Sequence, residues 1–144
     1  MDDKKRSNGG NTTVSENLKT AVFAGGCFWC TEAVFQKLRG VTGVLPGYAG
    51  GTVDNPTYEQ VSMGNTNHAE AIQFEYNPDE ISYSDLLSVF FATHDPTTLN
   101  RQGADVGTQY RSTIFFSSEE EKQEAQNYIG ALTKDGVFAN PIVT

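Results

Sequence analysis

One hexapeptide constrains this chain more than any other: Gly25-Gly26-Cys27-Phe28-Trp29-Cys30, which holds both cysteines and the only tryptophan of the 144 residues. It follows the apolar run Ala21-Val22-Phe23-Ala24, which reads as a buried strand, and precedes Thr31 to Leu38, which reads as a helix. The paired glycines allow a sharp turn and close backbone approach. A cysteine at such a corner sits at a helix N-terminus, where free N–H groups and the positive end of the dipole favour thiolate over thiol. Cys30 lies one turn further on, within disulfide reach after local adjustment, and Phe28 with Trp29 can wall an apolar pocket. On spacing alone either thiol can be the nucleophile; Cys27, at the very start of the helix, is the better placed.

The rest of the chain alternates strand and helix signals. Residues 1–17 are too polar to bury enough surface to order, and read as a disordered tail, leaving 18–144 as one domain. The first strand is predicted at Thr20–Ala24. The first helix runs from about Cys27 to Leu38, with Cys27, Cys30, Val34 and Leu38 on one face. The second strand covers Val41–Ala49, and its Pro46 and Gly47 mark it as bent or at an edge. Residues 50–67 read as a long loop with a helical turn at Tyr58–Ser62. Ala69–Tyr76 alternates like a half-buried strand. Ser82 and Asp85 form a capping box for a helix to Thr93, with Leu86, Val89, Phe90 and Thr93 as its stripe. A second long loop covers Asp95–Thr108, and a strand Arg111–Phe116. Ser118-x-x-Glu121 is a capping box for a last helix whose apolar face is Ala125, Tyr128, Ile129 and Leu132. This order predicts an α+β fold: a two-layer, ferredoxin-like split β-α-β core carrying two long functional loops.

Composition narrows the chemistry. A net charge of −8 argues against nucleic acid or an anionic membrane as partner and fits a monomer. No stretch approaches the roughly 18 apolar residues of a membrane helix, and the polar start has no leader-like core, so the expected location is the cytoplasm. Two cysteines make a poor disulfide framework. A zinc site needs two further ligands at matching spacing, and His68 and His94 form no such pair, so no metal is expected. Redox chemistry at the cysteine pair is favoured over two inert buried thiols.

Other candidates have plainer readings. Glu70, in His68-Ala69-Glu70-Ala71, would resist ionising if buried and then act as a proton donor. From the residues alone a solvated strand-edge glutamate is the better reading. Tyr48, Tyr58 and Tyr110 fall in or beside the two loops, where ordinary packing explains each. Asp105 can simply build a turn.

Five segments together resemble the A-type peptide methionine sulfoxide reductases. They are Gly26-Cys27-Phe28-Trp29, Pro56-Thr57-Tyr58, His68-Ala69-Glu70-Ala71, His94-Asp95-Pro96-Thr97, and Gly103 through Ser112 (Gly-Ala-Asp-Val-Gly-Thr-Gln-Tyr-Arg-Ser). They occur in the family's order and span the chain from about residue 20. The resemblance implies that Cys27 attacks the sulfoxide sulfur and that Glu70 protonates its oxygen. It implies that Tyr58 and Tyr110 hydrogen-bond that oxygen with Asp105 in the same pocket, and that Phe28 and Trp29 hold the S-methyl group. It also implies reduction of the S epimer and a Cys27 sulfenic acid. Cys30, the other thiol of the chain, then closes a Cys27–Cys30 disulfide that thioredoxin or another dithiol reopens, with no bound cofactor. The family usually continues past Asn140-Pro141-Ile142-Val143-Thr144 with a segment rich in Tyr, Glu and His, so the domain is expected to lack that segment. A thioredoxin-class thiol–disulfide oxidoreductase shares the C-x-x-C corner, but the bulky Phe28-Trp29 pair fills it and no X-Pro loop is placed to face it. A non-catalytic module binding oxidised peptides is the third reading.

Overall fold

The computed structural model describes residues 17–51, 56–62 and 66–144. Residues 1–16 of the expected tail, and 52–55 and 63–65 of the first long loop, lie outside the described residues. The elements are β1 Lys19–Ala24, α1 Phe28–Phe35, β2 Val41–Ala49, α2 Tyr58–Ser62, β3 Ala69–Tyr76, α3 Tyr83–Thr93, β4 Arg101–Gln102, β5 Asp105–Val106, a 3-10 turn at Thr108–Tyr110, β6 Thr113–Phe115 and α4 Glu119–Lys134. Four strands form one antiparallel sheet in the order β2-β3-β1-β6. β4 and β5 pair as a separate small ribbon.

The main core lies on one face of that sheet. Ala21 and Phe23 of β1 and Ile72, Phe74 and Tyr76 of β3 meet Phe28 and Phe35 of α1, five residues of α3, and Ala125 of α4. Phe23 is the hub: its ring lies 5.9 Å from Phe35, 5.6 Å from Phe74, 5.8 Å from Tyr83 and 4.9 Å from Phe90. Removing a buried ring of this kind costs about 3–5 kcal/mol, so this cluster sets how the helices sit on the sheet. A smaller cluster of Ala24, Ala69 and Ala71, with Val22, Ala49 and Phe115, covers the other face.

Several sequence expectations hold. β2 has the predicted ends, lies at the sheet edge, and shifts register between Thr42 and Leu45, where a proline-containing strand is tolerated. Ser82 caps α3: its Oγ accepts from Asp85 N at 3.0 Å, and its own N–H donates to Asp85 Oδ2 at 3.2 Å.

Others are corrected. α3 buries Tyr83, Leu86, Leu87, Phe90 and Phe91, a wider stripe than expected; Val89 is half-buried and Thr93 exposed. α4 has only half a capping box. Ser118 Oγ accepts from Glu121 N at 3.2 Å, but the Glu121 carboxylate accepts from Ser117 N and Oγ instead of Ser118. β6 is shorter than Arg111–Phe116, because Arg111 N–H still donates to Thr108 O in the preceding turn and Ser112 is engaged elsewhere. The loop after α3 is not unstructured: it contains the β4–β5 ribbon. Most consequentially, β3 is not half-buried along its length. Ala69, Glu70, Ala71 and Ile72 are all buried, and only Gln73 and Glu75 face out. Among the described residues no helix is long and apolar enough to cross a membrane.

Candidate active site

The chain leaves β1 through Gly25 and Gly26, both in close contact with neighbours. A Cβ at Gly25 would stand 3.0 Å from the His94 and Phe90 rings. Gly26 has φ +94°, a region open to glycine, and a Cβ there would lie 2.6 Å from Gln102 Cγ. Cys27 follows as the extended N-cap residue of α1. Its carbonyl accepts from Cys30 N at 3.1 Å and from Thr31 N at 3.3 Å, which closes the first turn of α1 beside the thiol.

The face α1 buries is Phe28, Thr31 and Phe35; of the face that the spacing predicts, Cys30 and Val34 are exposed, Cys27 is half-buried, and Leu38, past the helix end, packs on the main core. The reason is that Phe28 and Phe35 carry the larger apolar area, and they turn the helix so that both thiols face outward. Cys27 is half-buried, Cys30 is exposed, and both are free. Cys30 is pushed above the ordinary thiol range, first by the charge interaction with Cys27, then by burial, a hydrogen bond with Cys27, and Asp105.

Glu70, the second residue of β3, is 3% exposed and lies on the same strand face as Ile72, Phe74 and Tyr76. Its Oε1 accepts from Phe28 N at 3.3 Å, the first N–H of α1. The solvated-edge reading of Glu70 is therefore overturned. Burial raises its pKa above the ordinary carboxylate range; the Phe28 N–H opposes this and Asp105 adds to it. The sign for stability follows directly. The folded state holds this proton to higher pH than the unfolded chain, so Glu70's contribution is full below the unfolded value of 4.5 and is lost as pH rises through the folded value. Glu70→Gln is expected to remove that decline. Thermal midpoints of both proteins from pH 4 to 8 check it: the gap should move in favour of the variant as pH rises.

Aromatic side chains surround the pair. Trp29 is 58% exposed and stands edge-on to Phe28, centroids 4.9 Å apart. Tyr58, at the start of α2, is 55% exposed. Tyr110 is half-buried, and its phenol is pushed up by burial, then by Glu70, Asp105, Tyr58 and Cys27. Asp105 is exposed on the ribbon strand β5. One mutual electrostatic field thus joins the cysteines, Glu70, Tyr58, Asp105 and Tyr110, and Phe28 touches it through its N–H.

Tyr48 belongs to the same cluster and was given no role from the sequence. It is the cross-strand partner of Glu70, and its ring lies 5.5 Å from Phe28. Its phenol is also pushed up, by burial and then by Glu70. Only strand pairing identifies it, and the register shift in β2 hides that pairing from the sequence.

The histidines lie outside the cluster. His68 Nδ1 accepts from Gly51 N at 3.1 Å. His94 Nδ1 lies 2.7 Å from Phe90 O, an acceptor, so Nδ1 carries the proton and Nε2 accepts from Ser112 Oγ at 2.7 Å. Burial lowers the His94 pKa, against the Phe90 carbonyl, and the neutral ring is part of the scaffold. Among the described residues no three His, Cys, Asp or Glu side chains gather as a metal-holding group.

Comparison with known proteins places this geometry. The family model described as "Peptide methionine sulfoxide reductase" matches residues 19–144. The Peptide methionine sulfoxide reductase MsrA of Deinococcus radiodurans is 56% identical over 140 residues, covering 97% of this chain and 68% of that protein. The chain therefore spans about two thirds of the length of such curated relatives. Among solved structures, Mxr1 of Saccharomyces cerevisiae in reduced form is 35% identical with a TM-score of 0.83, over 92% of this chain and 77% of that one. Mxr1 in complex with Trx2 aligns with a TM-score of 0.65 at 26% identity, over 93% and 78%. Since the matched span takes in the cysteine corner, β3, the ribbon and every aromatic of the cluster, the chain belongs to the peptide methionine sulfoxide reductase family.

Proposed function

We propose that the chain reduces methionine S-sulfoxide, free and in peptides and proteins, with Cys27 as nucleophile, Glu70 as acid and Cys30 as resolving thiol. The observation that carries this reading is the buried Glu70 carboxyl on the N–H of Phe28, directly after Cys27. A sulfoxide sulfur is a poor electrophile until its oxygen is protonated or strongly hydrogen-bonded. A carboxyl that resists ionising can donate that proton, and a thiolate at a helix N-terminus can attack. Tyr58 and Tyr110 supply phenol donors to the oxygen, Asp105 orders the polar side, and Phe28 with Trp29 takes the S-methyl group.

The atoms balance in three steps. The Cys27 sulfur takes the oxygen and gives two electrons to the sulfoxide, leaving methionine and a sulfenic acid. Cys30 displaces water from that acid, forming the Cys27–Cys30 disulfide. A dithiol then restores both thiols and is itself oxidised. The raised pKa of Cys30 suits a thiol that waits for the sulfenic acid and does not compete for the sulfoxide. The likeness to Mxr1 in complex with Trx2 supports a thioredoxin as that dithiol. The strand order β2-β3-β1-β6 supports the ferredoxin-like split β-α-β reading of the core. A monomer working in the cytoplasm without bound cofactor completes the reading.

Methionine release without reductant tests it. The wild-type chain is expected to release one methionine per protein and stop as a disulfide. Cys30→Ser is expected to release the same single equivalent, to leave a dimedone-reactive Cys27, and to fall at least about tenfold in turnover with thioredoxin. Release by Cys30→Ser with unchanged turnover would show that Cys30 does not resolve.

A further inference from the structure

Gln102 joins three parts of the molecule that the site depends on. Its side-chain amide makes a two-point pairing with one backbone residue: Oε1 accepts from Asp95 N at 2.9 Å and Nε2 donates to Asp95 O at 2.5 Å. Asp95 directly follows His94, whose ring is fixed by Phe90 O and Ser112 and packs on Gly25. The Gln102 stem lies over Gly26, where Cβ and Cγ occupy the space a side chain at position 26 would need. In the ribbon, Gln102 is the cross-strand partner of Asp105.

We propose that Gln102 is a positioning residue: its amide clip to Asp95 presses its stem on Gly26, and so holds Cys27 in register with the ribbon that carries Asp105. The clip acts at a corner whose other side-chain cover, the His94 and Phe90 rings, lies against Gly25, while the stem of Gln102 covers Gly26. Gly25 and Gly26 are the least restrained backbone type, and the nucleophile is the next residue. Among the described residues the ribbon's other side-chain hydrogen bonds stay within residues 98–103. The Arg101 guanidinium donates to Gly103 O at 2.9 Å, its carbonyl accepts from Thr98 Oγ1 at 2.7 Å and from Gln102 Nε2 at 3.2 Å, and Gly103 has open space around it. Fixing the amide against the Asp95 backbone therefore fixes both the lid of the Gly26 corner and the strand opposite Asp105. Displacement of a reacting group by about 1 Å can cost up to a hundredfold in rate.

This inference rests on the proposed reductase reading, so its test carries one measurement that does not. In a Cys30→Ser background, the rate of Cys27 alkylation by iodoacetamide is followed from pH 5 to 10. In parallel, single-turnover release from an N-blocked methionine-S-sulfoxide peptide gives the first-step rate and the half-saturating concentration. Gln102→Ala is expected to lower the first-step rate at least about tenfold, with half-saturation changed less than about threefold, and to displace the alkylation profile. Gln102→Met, which keeps the stem but not the clip, is expected to fall between the two. Arg101→Ala, which removes the side-chain bonds to Gly103 O and leaves the Gln102 clip in place, is expected to leave both readouts at wild type. Wild-type rates and profile in Gln102→Ala, or equal losses in Arg101→Ala, would overturn the proposal. If Gln102→Ala does not fold, Gln102→Met at wild-type rate and profile overturns it. Absence of release in the parent with a profile still displaced by Gln102→Ala would reject the reductase reading and leave the positioning role standing.

Discussion

Cys27→Ser is expected to abolish methionine release, with a loss of at least about three orders of magnitude in the first step. The hydroxyl keeps the size and the N-cap position, so α1 should survive: the N-cap makes no side-chain hydrogen bond in the parent, and serine is a favoured cap. What is lost is a sulfur that can accept the oxygen and give up two electrons. Cys30 does not stand in for it, being exposed one turn on and held in its protonated form by its neighbour. The measurement is single-turnover release from an N-blocked methionine-S-sulfoxide peptide, with far- and near-UV circular dichroism to confirm the fold. Release within tenfold of the parent by a folded Cys27→Ser chain would remove Cys27 from the mechanism.

Glu70→Gln is expected to lower the same step by about 10²–10⁴-fold, the usual contribution of a positioned general acid. The amide keeps shape and still offers an oxygen to the Phe28 N–H, so binding should change little and the effect should fall on the rate. The pH dependence separates this role from a packing role. The acid form persists above the ordinary carboxylate range because burial outweighs the Phe28 N–H. The parent rate should therefore fall on the alkaline side as that proton is lost, and the Glu70→Gln rate should lack this fall. Equal rates, or a parallel pH profile in both, would leave Glu70 without the acid role.

Much of the frame was legible in the residues. Pro46 and Gly47 marked β2 as an edge strand, and Ser82 with Asp85 marked the start of α3, because missing donors and caps are local chemistry. Glu70 was not legible in this way. Its burial comes from its own strand face, shared with Ile72, Phe74 and Tyr76, on which the start of α1 packs with Phe28. Alternation puts Glu70 on the apolar face but does not report that a distant segment, α1, covers that face as far as the strand's start. The resemblance to the family, carried by motifs across the chain, assigned Glu70 the acid role that its own neighbourhood argued against. The outward turn of Cys27 and Cys30 was missed for a related reason. Helical spacing lists which residues share a face, while the sizes of Phe28 and Phe35 decide which face is buried. Tyr48 and Gln102 needed tertiary pairing, one across a sheet with a register shift and one across a ribbon inside what reads as a loop.

The most direct test of the account is turnover of the resolved S and R epimers of an N-blocked methionine sulfoxide, with dithiothreitol as reductant. On the proposed reading, a methyl held on the Phe28–Trp29 side and an oxygen held on the Glu70–Tyr110 side fix one hand at sulfur. Multiple turnovers of the S epimer with none of the R epimer is the expected result. Reduction of R, or of neither epimer by a folded chain whose Cys27 still alkylates, would contradict it.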